Sequence, residues 1–475
     1  MNMQFICNNA LIETDQNPSS TLLDFVRQQL KLTGAKEGCR EGDCGACAVL
    51  IGELKNDKIV YKTINSCLTP LAAADGKHVV TIEGLNLNEL SLIQQMFVRE
   101  GAAQCGFCTP GFIVSFTGFL LSSNNLSVDE AIDSIAGNLC RCTGHYSIIR
   151  AIKYILDEVQ INNLSLAQRL KKLVDLNIIP EYFLNTKKKL ESFKKEQPPT
   201  ETIDDASFTI AGGTDLYVQQ GYKLTREKNI LIHLKISDES IRISDNNCFI
   251  DAAVTIEDFS NSEIIKAIFP NVKEFANLFG SLPIRNRATV GGNIINASPI
   301  ADITSLLLVL DAVLIFSHKS NFRKVKLSDF YKGYKQVDKL PEEILSSVYF
   351  EVPSGNYKIS YEKVSKRQHL DIASVNSTMF IQTEDNKIID VRISAGGVAP
   401  IPMLLKNTSS YLSNKQISAV TIQEASSVSQ RIASDEIKPI SDIRGSAQYK
   451  TLLLNRLILA HFIKLYPELF EEVTL

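Results

Sequence analysis

Nine of the ten cysteines lie within the first 142 residues, and only Cys248 lies beyond. Two sets of four have spacings that suit metal chemistry. Cys39, Cys44, Cys47 and Cys67 read C-x4-C-x2-C-x19-C, so three thiols share one tight loop and a distant segment brings the fourth. Gly38, Gly42 and Gly45 let such a loop wrap an anionic iron–sulfur cluster closely and bring backbone N–H groups to the sulfurs. A four-cysteine zinc site or buried free cysteines is the alternative. Zinc sites usually pair two C-x2-4-C knuckles, and this set has only one. Cys105, Cys108, Cys140 and Cys142 read C-x2-C-x31-C-x1-C. Taken alone, this second set fits zinc, with His145 as a spare ligand, or an iron–sulfur cluster. A mixed His/Cys cluster needs two histidines, and only one is nearby.

The elements that must position these thiols are readable in outline. Met3–Cys7 and Leu11–Thr14 flank Asn8-Asn9, a hairpin signal. Thr21 and Asp24 have capping-box spacing ahead of a helix over LLDFVRQQL, and Gly34 is the expected stop. Strands are expected at Ala48–Ile51, Ile59–Ile64 and His78–Ile82. The result is a small mixed sheet crossed by one helix. From Asn88 to about Ile161, apolar residues recur three and four apart in four short helices. Cys105 and Cys108 precede one of them, and Cys140 and Cys142 another, where helix N-termini stabilise thiolates. Asn185–Asp205 is Lys-rich, carries Pro198-Pro199, and reads as an exposed linker. Cys7 and Cys248 fit neither set and read as buried apolar cysteines.

Two Gly-Gly turns follow the linker. In Ile210-Ala211-Gly212-Gly213-Thr214-Asp215-Leu216 the glycines come after an apolar strand and can turn N–H groups toward a pyrophosphate. Thr289-Val290-Gly291-Gly292-Asn293-Ile294 is the second, with Ser298 and Asp302 close behind. A dinucleotide clamped by both would take donors from Gly292 N–H, Thr214 and Ser298, with Asp302 accepting from ribose hydroxyls. The alternative is two unrelated turns, with Asp302 capping the helix ITSLLLVL.

The C-x4-C-x2-C loop resembles that of plant-type 2Fe–2S ferredoxins. The stretches EGCREGDCGAC (37–47), QCGFCTPG (104–111) and GNLCRCTG (137–144) resemble the two cluster domains of the molybdenum hydroxylase family. IAGGTDL, FGSLPIRNRATVGGNI (279–294) and ASPIAD (297–302) resemble that family's flavoprotein domain. YEKVSKRQHLDIA (361–373) and SAGGVAP (394–400) resemble its C-terminal flavoprotein domain. The resemblance implies a 2Fe–2S cluster on each cysteine set. It puts Gln104 and Cys142 at the pterin of a molybdenum site, Phe279 near the isoalloxazine ring, and Arg367 and Lys406 near the flavin. It implies an α+β multidomain fold. A plant-type (β-grasp) ferredoxin domain covers 1–87 and a helical 2Fe–2S domain 88–161. A linker over 162–205 leads to a two-lobed FAD-binding domain of the vanillyl-alcohol oxidase type (206–352) and a C-terminal flavoprotein domain (353–475).

This arrangement resembles the iron–sulfur/FAD small subunit of bacterial xanthine dehydrogenases. The implied partner is a molybdopterin-binding large subunit, in a dimer of heterodimers. Electrons from a purine would pass through both clusters to FAD and then NAD, and no catalytic residue for purine oxidation is expected on this chain. An aldehyde or N-heterocycle hydroxylase, or an iron–sulfur flavoprotein reductase without NAD, fits the same motifs.

Composition sets the remaining bounds. The 475 residues are 44% apolar and 22% charged, enough for a packed core in several domains. Fifty basic against 53 acidic residues leave a net charge of −3, with no basic excess for nucleic acid or an anionic membrane. The longest apolar stretch, Leu306–Phe316, is broken by Asp311 and falls short of the ~20 residues a membrane helix needs. The N-terminus has neither the basic nor the apolar region of a signal peptide, so the expected address is the cytoplasm.

Overall fold

The computed structural model describes residues 2–123, 126–162, 164–193, 208–227, 230–232, 239–367 and 371–470. The chain forms two compact units, Met1–Leu234 with Gly280–Ala288, and Lys235–Phe279 with Thr289–Leu475.

In the first unit, strands β1 (Met3–Cys7), β2 (Ala10–Thr14), β3 (Ala48–Lys55), β4 (Lys58–Asn65) and β5 (His78–Val80) form a mixed sheet in the order β2-β1-β5-β3-β4. The β1–β2 hairpin closes at Cys7 opposite Ala10, with Asn8 at φ +55°, a conformation Asn tolerates better than most residues. Thr21 caps the crossing helix, its Oγ1 accepting from Asp24 N–H at 3.1 Å. That helix does not run to Gly34. Leu22–Asp24 passes into a π turn over Phe25–Gln29, and Lys31 at φ +59° ends the run. Gly34 serves packing instead, because a Cβ there would stand 2.2 Å from Ile82 Cγ2.

Helices Leu92–Arg99, Thr109–Ser122, Val128–Ser134 and Tyr146–Val159 follow. Thr109–Ser122 is apolar around most of its circumference and is buried from Gly111 to Leu121, as a central helix must be. The expected linker is largely structured where it is described. Leu166–Asp175, Glu181–Asn185 and Thr186–Glu191 are helical, and Leu173, Phe183 and Leu190 are buried in the same core as the sheet. The Phe183 ring lies 5.6 Å from both Tyr61 and His78. These apolar residues fold a segment whose lysines suggest solvent; 194–205, including Pro198-Pro199, lie outside the described residues.

A parallel pair, β6 (Phe208–Ile210) and β7 (Ile230–Ile232), brackets helix Leu216–Leu224. Tyr217 OH donates to Ser19 O at 2.6 Å, and Ser19 Oγ donates to Leu224 O at 2.8 Å, joining this lobe to the first sheet. The segment Gly280–Ala288 belongs here too, with Asn286 Nδ2 donating to Thr63 O at 2.8 Å.

In the second unit, β8 (Ile241–Ser244), β9 (Asn247–Asp251), β10 (Val313–His318) and β11 (Asn321–Lys326) precede a short ribbon, β12 (Tyr331–Gly333) with β13 (Gln336–Val337). With β14 (Ile344–Glu351) the four form an antiparallel sheet, β11-β10-β14-β9-β8. Strands β15 (Tyr357–Val364), β16 (Val375–Glu384), β17 (Lys387–Gly396) and β18 (Met403–Leu404) form a second antiparallel sheet in sequence order. Helix Ala447–Leu465 packs on β15 and β16, and Asp302–Val309 on β16 and β17. The α+β multidomain architecture is the one expected. Among the described residues no helix is long and apolar enough to cross a membrane.

Candidate cofactor sites

Cys39, Cys44 and Cys47 lie on the irregular loop before and into β3, and Cys67 on the 3-10 turn Ser66–Leu68 after β4. Cys47 and Cys67 Sγ are 3.3 Å apart, and the Cys39 and Cys44 thiols are hydrogen-bonded. The four thus meet as two pairs, which suits a two-iron cluster with two thiolates on each iron. Among the described residues no three His, Cys, Asp or Glu converge as a single ion needs. Gly42 and Gly45 take φ +83° and +65°, and a Cβ on Gly38 would stand 2.8 Å from Cys44 Sγ. Only glycine leaves that cradle open. The Cys44 S–H bond, with N–H groups of the loop such as that of Glu41, holds the Cys39 thiol down at about 4 against burial. The contact from Cys67 likewise holds Cys47 low. A thiolate is what a metal takes.

In the second set, Cys108 is the N-cap of helix Thr109–Ser122, and Cys140 and Cys142 precede Tyr146–Val159. Cys105 and Cys142 Sγ lie 3.7 Å apart, and Cys108 is hydrogen-bonded to Cys140, again two pairs. Burial would raise the Cys140 thiol, but the Thr143 hydroxyl at 3.1 Å and N–H at 3.4 Å outweigh it and hold it low. His145 Nε2 accepts from Cys140 N–H at 3.3 Å, so the histidine braces the loop through its backbone. Gln104 Nε2 donates to Cys142 O at 3.2 Å, bringing the two expected pterin neighbours together. Cys105 and Cys142 are exposed, whereas Cys47 and Cys67 are buried. Cys7 and Cys248 are buried, and burial pushes each thiol up to about 12.

The two sets touch. Leu139 N–H donates to Cys44 O at 3.0 Å, and Asn138 Nδ2 to Gly45 O at 3.1 Å. A Cβ on Gly111 would stand 2.3 Å from Gly45 O. The first set also touches the turn Ile210–Leu216. Gly213, at φ +83°, approaches so closely that a Cβ would lie 2.9 Å from the carbonyl oxygen of Leu68, the neighbour of Cys67. A Cβ on Gly212 would stand 2.1 Å from Arg287 O. Ile210 ends β6, Leu216 opens the next helix, and Ala211 and Thr214 lie in the turn. Asp215 accepts from Gln219 Nε2 at 2.5 Å.

The remaining expected flavin residues lie in the second unit. Phe279 ends helix Val272–Phe279 and is half-buried. Thr289 Oγ1 accepts from Gly292 N–H at 3.0 Å, so the donor expected for a pyrophosphate already caps Val290–Ile295. Gly291 N–H donates to Ala252 O at 2.8 Å. Asn293 Oδ1 accepts from Thr304, and Ser298 Oγ from Ile300 N–H. Asp302 is the first helical residue, not the cap, which is Ala301. Its buried carboxylate accepts from Tyr361 OH and Asn376 Nδ2 at 2.6 Å each and from Lys363 Nζ at 3.0 Å. Three of roughly four acceptor positions are therefore filled by protein. Arg367 is exposed and its N–H donates to Asp371 Oδ2; Lys406 opens helix Lys406–Leu412. Residues 368–370 of the stretch YEKVSKRQHLDIA (361–373) lie outside the described residues. Sequence reasoning singled out none of Asn138, Thr143 and Arg287, although each stands inside a quoted motif.

Four family models match the chain in order. They are the 2Fe-2S iron-sulfur cluster binding domain over 5–72 and the 2Fe-2S binding domain over 81–153. The FAD binding domain in molybdopterin dehydrogenase follows over 196–354, and the CO dehydrogenase flavoprotein C-terminal domain over 360–465. Similar curated proteins include the xanthine dehydrogenase of Drosophila subobscura, 26% identical over 98% of this chain and 39% of its own length. That of Oryza sativa subsp. japonica is 30% identical over 83% of this chain and 35% of its own. Xanthine dehydrogenase 1 of Arabidopsis thaliana is 29% identical over 86% and 36%. The chain thus spans little more than a third of each of these relatives. Two iron–sulfur domains followed by two flavoprotein domains, in that order on one chain, make it an iron–sulfur and FAD member of the molybdenum hydroxylase family.

Proposed function

We propose that this chain is the electron-transfer component of a xanthine dehydrogenase-like molybdenum hydroxylase. In this reading a partner subunit holds the molybdenum–pterin site that oxidises a purine, NAD is the final acceptor, and the assembly is a cytoplasmic dimer of heterodimers. Cys105, Cys108, Cys140 and Cys142 hold one 2Fe–2S cluster, and Cys39, Cys44, Cys47 and Cys67 the other. The turn Ile210–Leu216 is the FAD contact of the first unit, and Thr289, Gly291, Gly292, Asn293, Ser298 and Asp302 are the FAD contacts on the second unit. Phe279, Arg367 and Lys406 lie toward its ring, and Gln104 and Cys142 face the pterin. When bound, the clusters supply single-electron carriers and FAD a two-electron store that exchanges hydride with nicotinamide.

The observation that carries the reading is the order of contact within the first unit. The second cysteine set has two exposed thiols, as a set facing a partner needs. It meets the first set through Leu139 and Cys44, and the first set meets the Gly-Gly turn through Leu68 and Gly213. The protein's task is to hold these groups in a fixed series; their burial and hydrogen bonds set the potentials.

The test is Cys105→Ser in the assembled enzyme. Purine-to-NAD turnover should stop, while transfer from NADH to an artificial dye stays largely intact. Equal loss of both activities would overturn the order. An anaerobic visible spectrum that xanthine bleaches and NAD restores would establish substrate class and acceptor. Bleaching by NADH alone would leave the electron-transfer role and remove the purine.

A further inference from the structure

We infer that Arg287 is the positioning residue that aims the Gly212-Gly213 turn at the FAD pyrophosphate, an assignment that rests on the FAD reading above. Arg287 Nη2 donates to Ala211 O and Gly212 O, each at 3.1 Å, and Nε donates to Gly212 O at 3.3 Å. One planar fork thereby holds two consecutive carbonyls, a geometry that a lysine ammonium cannot reproduce. Every peptide bond in the described chain is trans. In a trans peptide the carbonyl of one residue and the N–H of the next point in opposite directions. Fixing the Ala211 and Gly212 carbonyls on Arg287 therefore turns the Gly212 and Gly213 N–H groups to the other side. Neither N–H has a protein acceptor among the described residues. Two successive N–H groups beside a glycine at φ +83° make a concave donor pair suited to a phosphate oxygen.

The turn has no slack for another arrangement. Gly212 packs against the Arg287 backbone and Gly213 against Leu68 and Tyr217. Arg287 is itself fixed in the helical turn Leu282–Arg285 and the residues after it, its N–H donating to Ile284 O at 2.9 Å, with the Asn286 side chain anchored on Thr63. The guanidinium touches carbonyls rather than the ligand. It acts by orienting donors, and its charge adds a favourable field for an anion nearby.

The experiment uses the full chain with its clusters in place and its flavin removed, titrated with FAD by fluorescence quenching. Arg287→Ala should weaken FAD binding by roughly tenfold or more, the scale of a lost charge-assisted hydrogen-bond set. The iron–sulfur absorbance and EPR signals should be unchanged. Arg287→Lys should fail to restore affinity, because charge without the fork does not hold two carbonyls. ADP, which carries the pyrophosphate without the flavin ring, should lose affinity in parallel. Unchanged affinity in Arg287→Ala, or full recovery in Arg287→Lys, would overturn the assignment. If Arg287→Ala loses its clusters, the Lys variant carries the test. Failure of the unaltered chain to bind FAD would instead sink the FAD reading itself.

Discussion

Single residues decide how closely the two cysteine loops approach, and Gly111 is the sharpest case. It sits in the first turn of helix Thr109–Ser122, where alanine would normally gain about 1 kcal/mol of helix propensity. Its Cβ would, however, fall 2.3 Å from the backbone oxygen of Gly45, and backbone cannot swing aside as a flexible side chain can. Overpacking of that kind costs about 1–3 kcal/mol, so the clash wins. Gly111→Ala is expected to lower the melting temperature and to slow electron exchange between the two clusters, followed by rapid-freeze EPR. A variant as stable as the parent would show that the loops are not pressed together. The glycines around both sets were legible in the sequence as glycines. What each one meets was not, because Gly45 and Gly111 are neighbours only after folding.

At the scale of elements, what could be read was what is local. The Asn8-Asn9 hairpin, the Thr21 cap and the helices after both pairs of the second cysteine set depend on residues within a few positions of each other. The failures have the opposite origin. Gly34 was the natural helix stop, but a positive-φ lysine does that work, and Gly34 answers to Ile82 far along the chain. Lysines made residues 186–191 look solvated, while Phe183 and Leu190 bury that stretch against the first sheet. Arg287 stood inside the quoted stretch 279–294 and drew no notice because its partners, Ala211 and Gly212, lie in a different motif.

The helix Ala447–Leu465 offers a pH test at the same scale. His461 is buried on it, with Nδ1 3.0 Å from Ser360 Oγ on β15 and Nε2 3.0 Å from Ser377 Oγ on β16. Burial pushes its imidazole down to about 3. The folded state thus refuses a proton that the unfolded chain takes up near pH 6.5, and stability must fall as pH drops from there toward 3. The slope is about 1.4 kcal/mol per pH unit for one such group. His461→Gln should remove one proton from the pH dependence of unfolding of the second unit, followed by its tryptic release or by hydrogen exchange in β15 and β16. An unaltered slope would mean that the imidazole charges within the fold.

At the scale of the whole molecule, the cysteines are graded by exposure, and the proposed direction of electron flow can be tested against that grading. Cys105 and Cys142 are exposed, Cys39, Cys44, Cys108 and Cys140 are half-buried, and Cys7, Cys47, Cys67 and Cys248 are buried. A carrier that receives electrons from another subunit must present itself to that subunit, whereas one that only relays within the chain gains from exclusion of water and oxidant. In the iron-free chain, a thiol reagent should therefore reach Cys105 and Cys142 first and Cys47 and Cys67 last, read by peptide mass spectrometry over time. Thiolate content cannot mimic this order. Contact with Cys105 pushes the Cys142 thiol up, while contact with Cys67 holds Cys47 low, so reactivity set by ionisation alone would favour the buried residue. The same labelling on the iron-free assembly, with the partner bound, then separates two explanations of the exposed pair. If a partner covers the second set, Cys105 and Cys142 become protected in the assembly while the half-buried thiols of the first set label as before. If those two remain the fastest in the assembly, the exposed set does not face the partner, and electrons must enter the chain elsewhere.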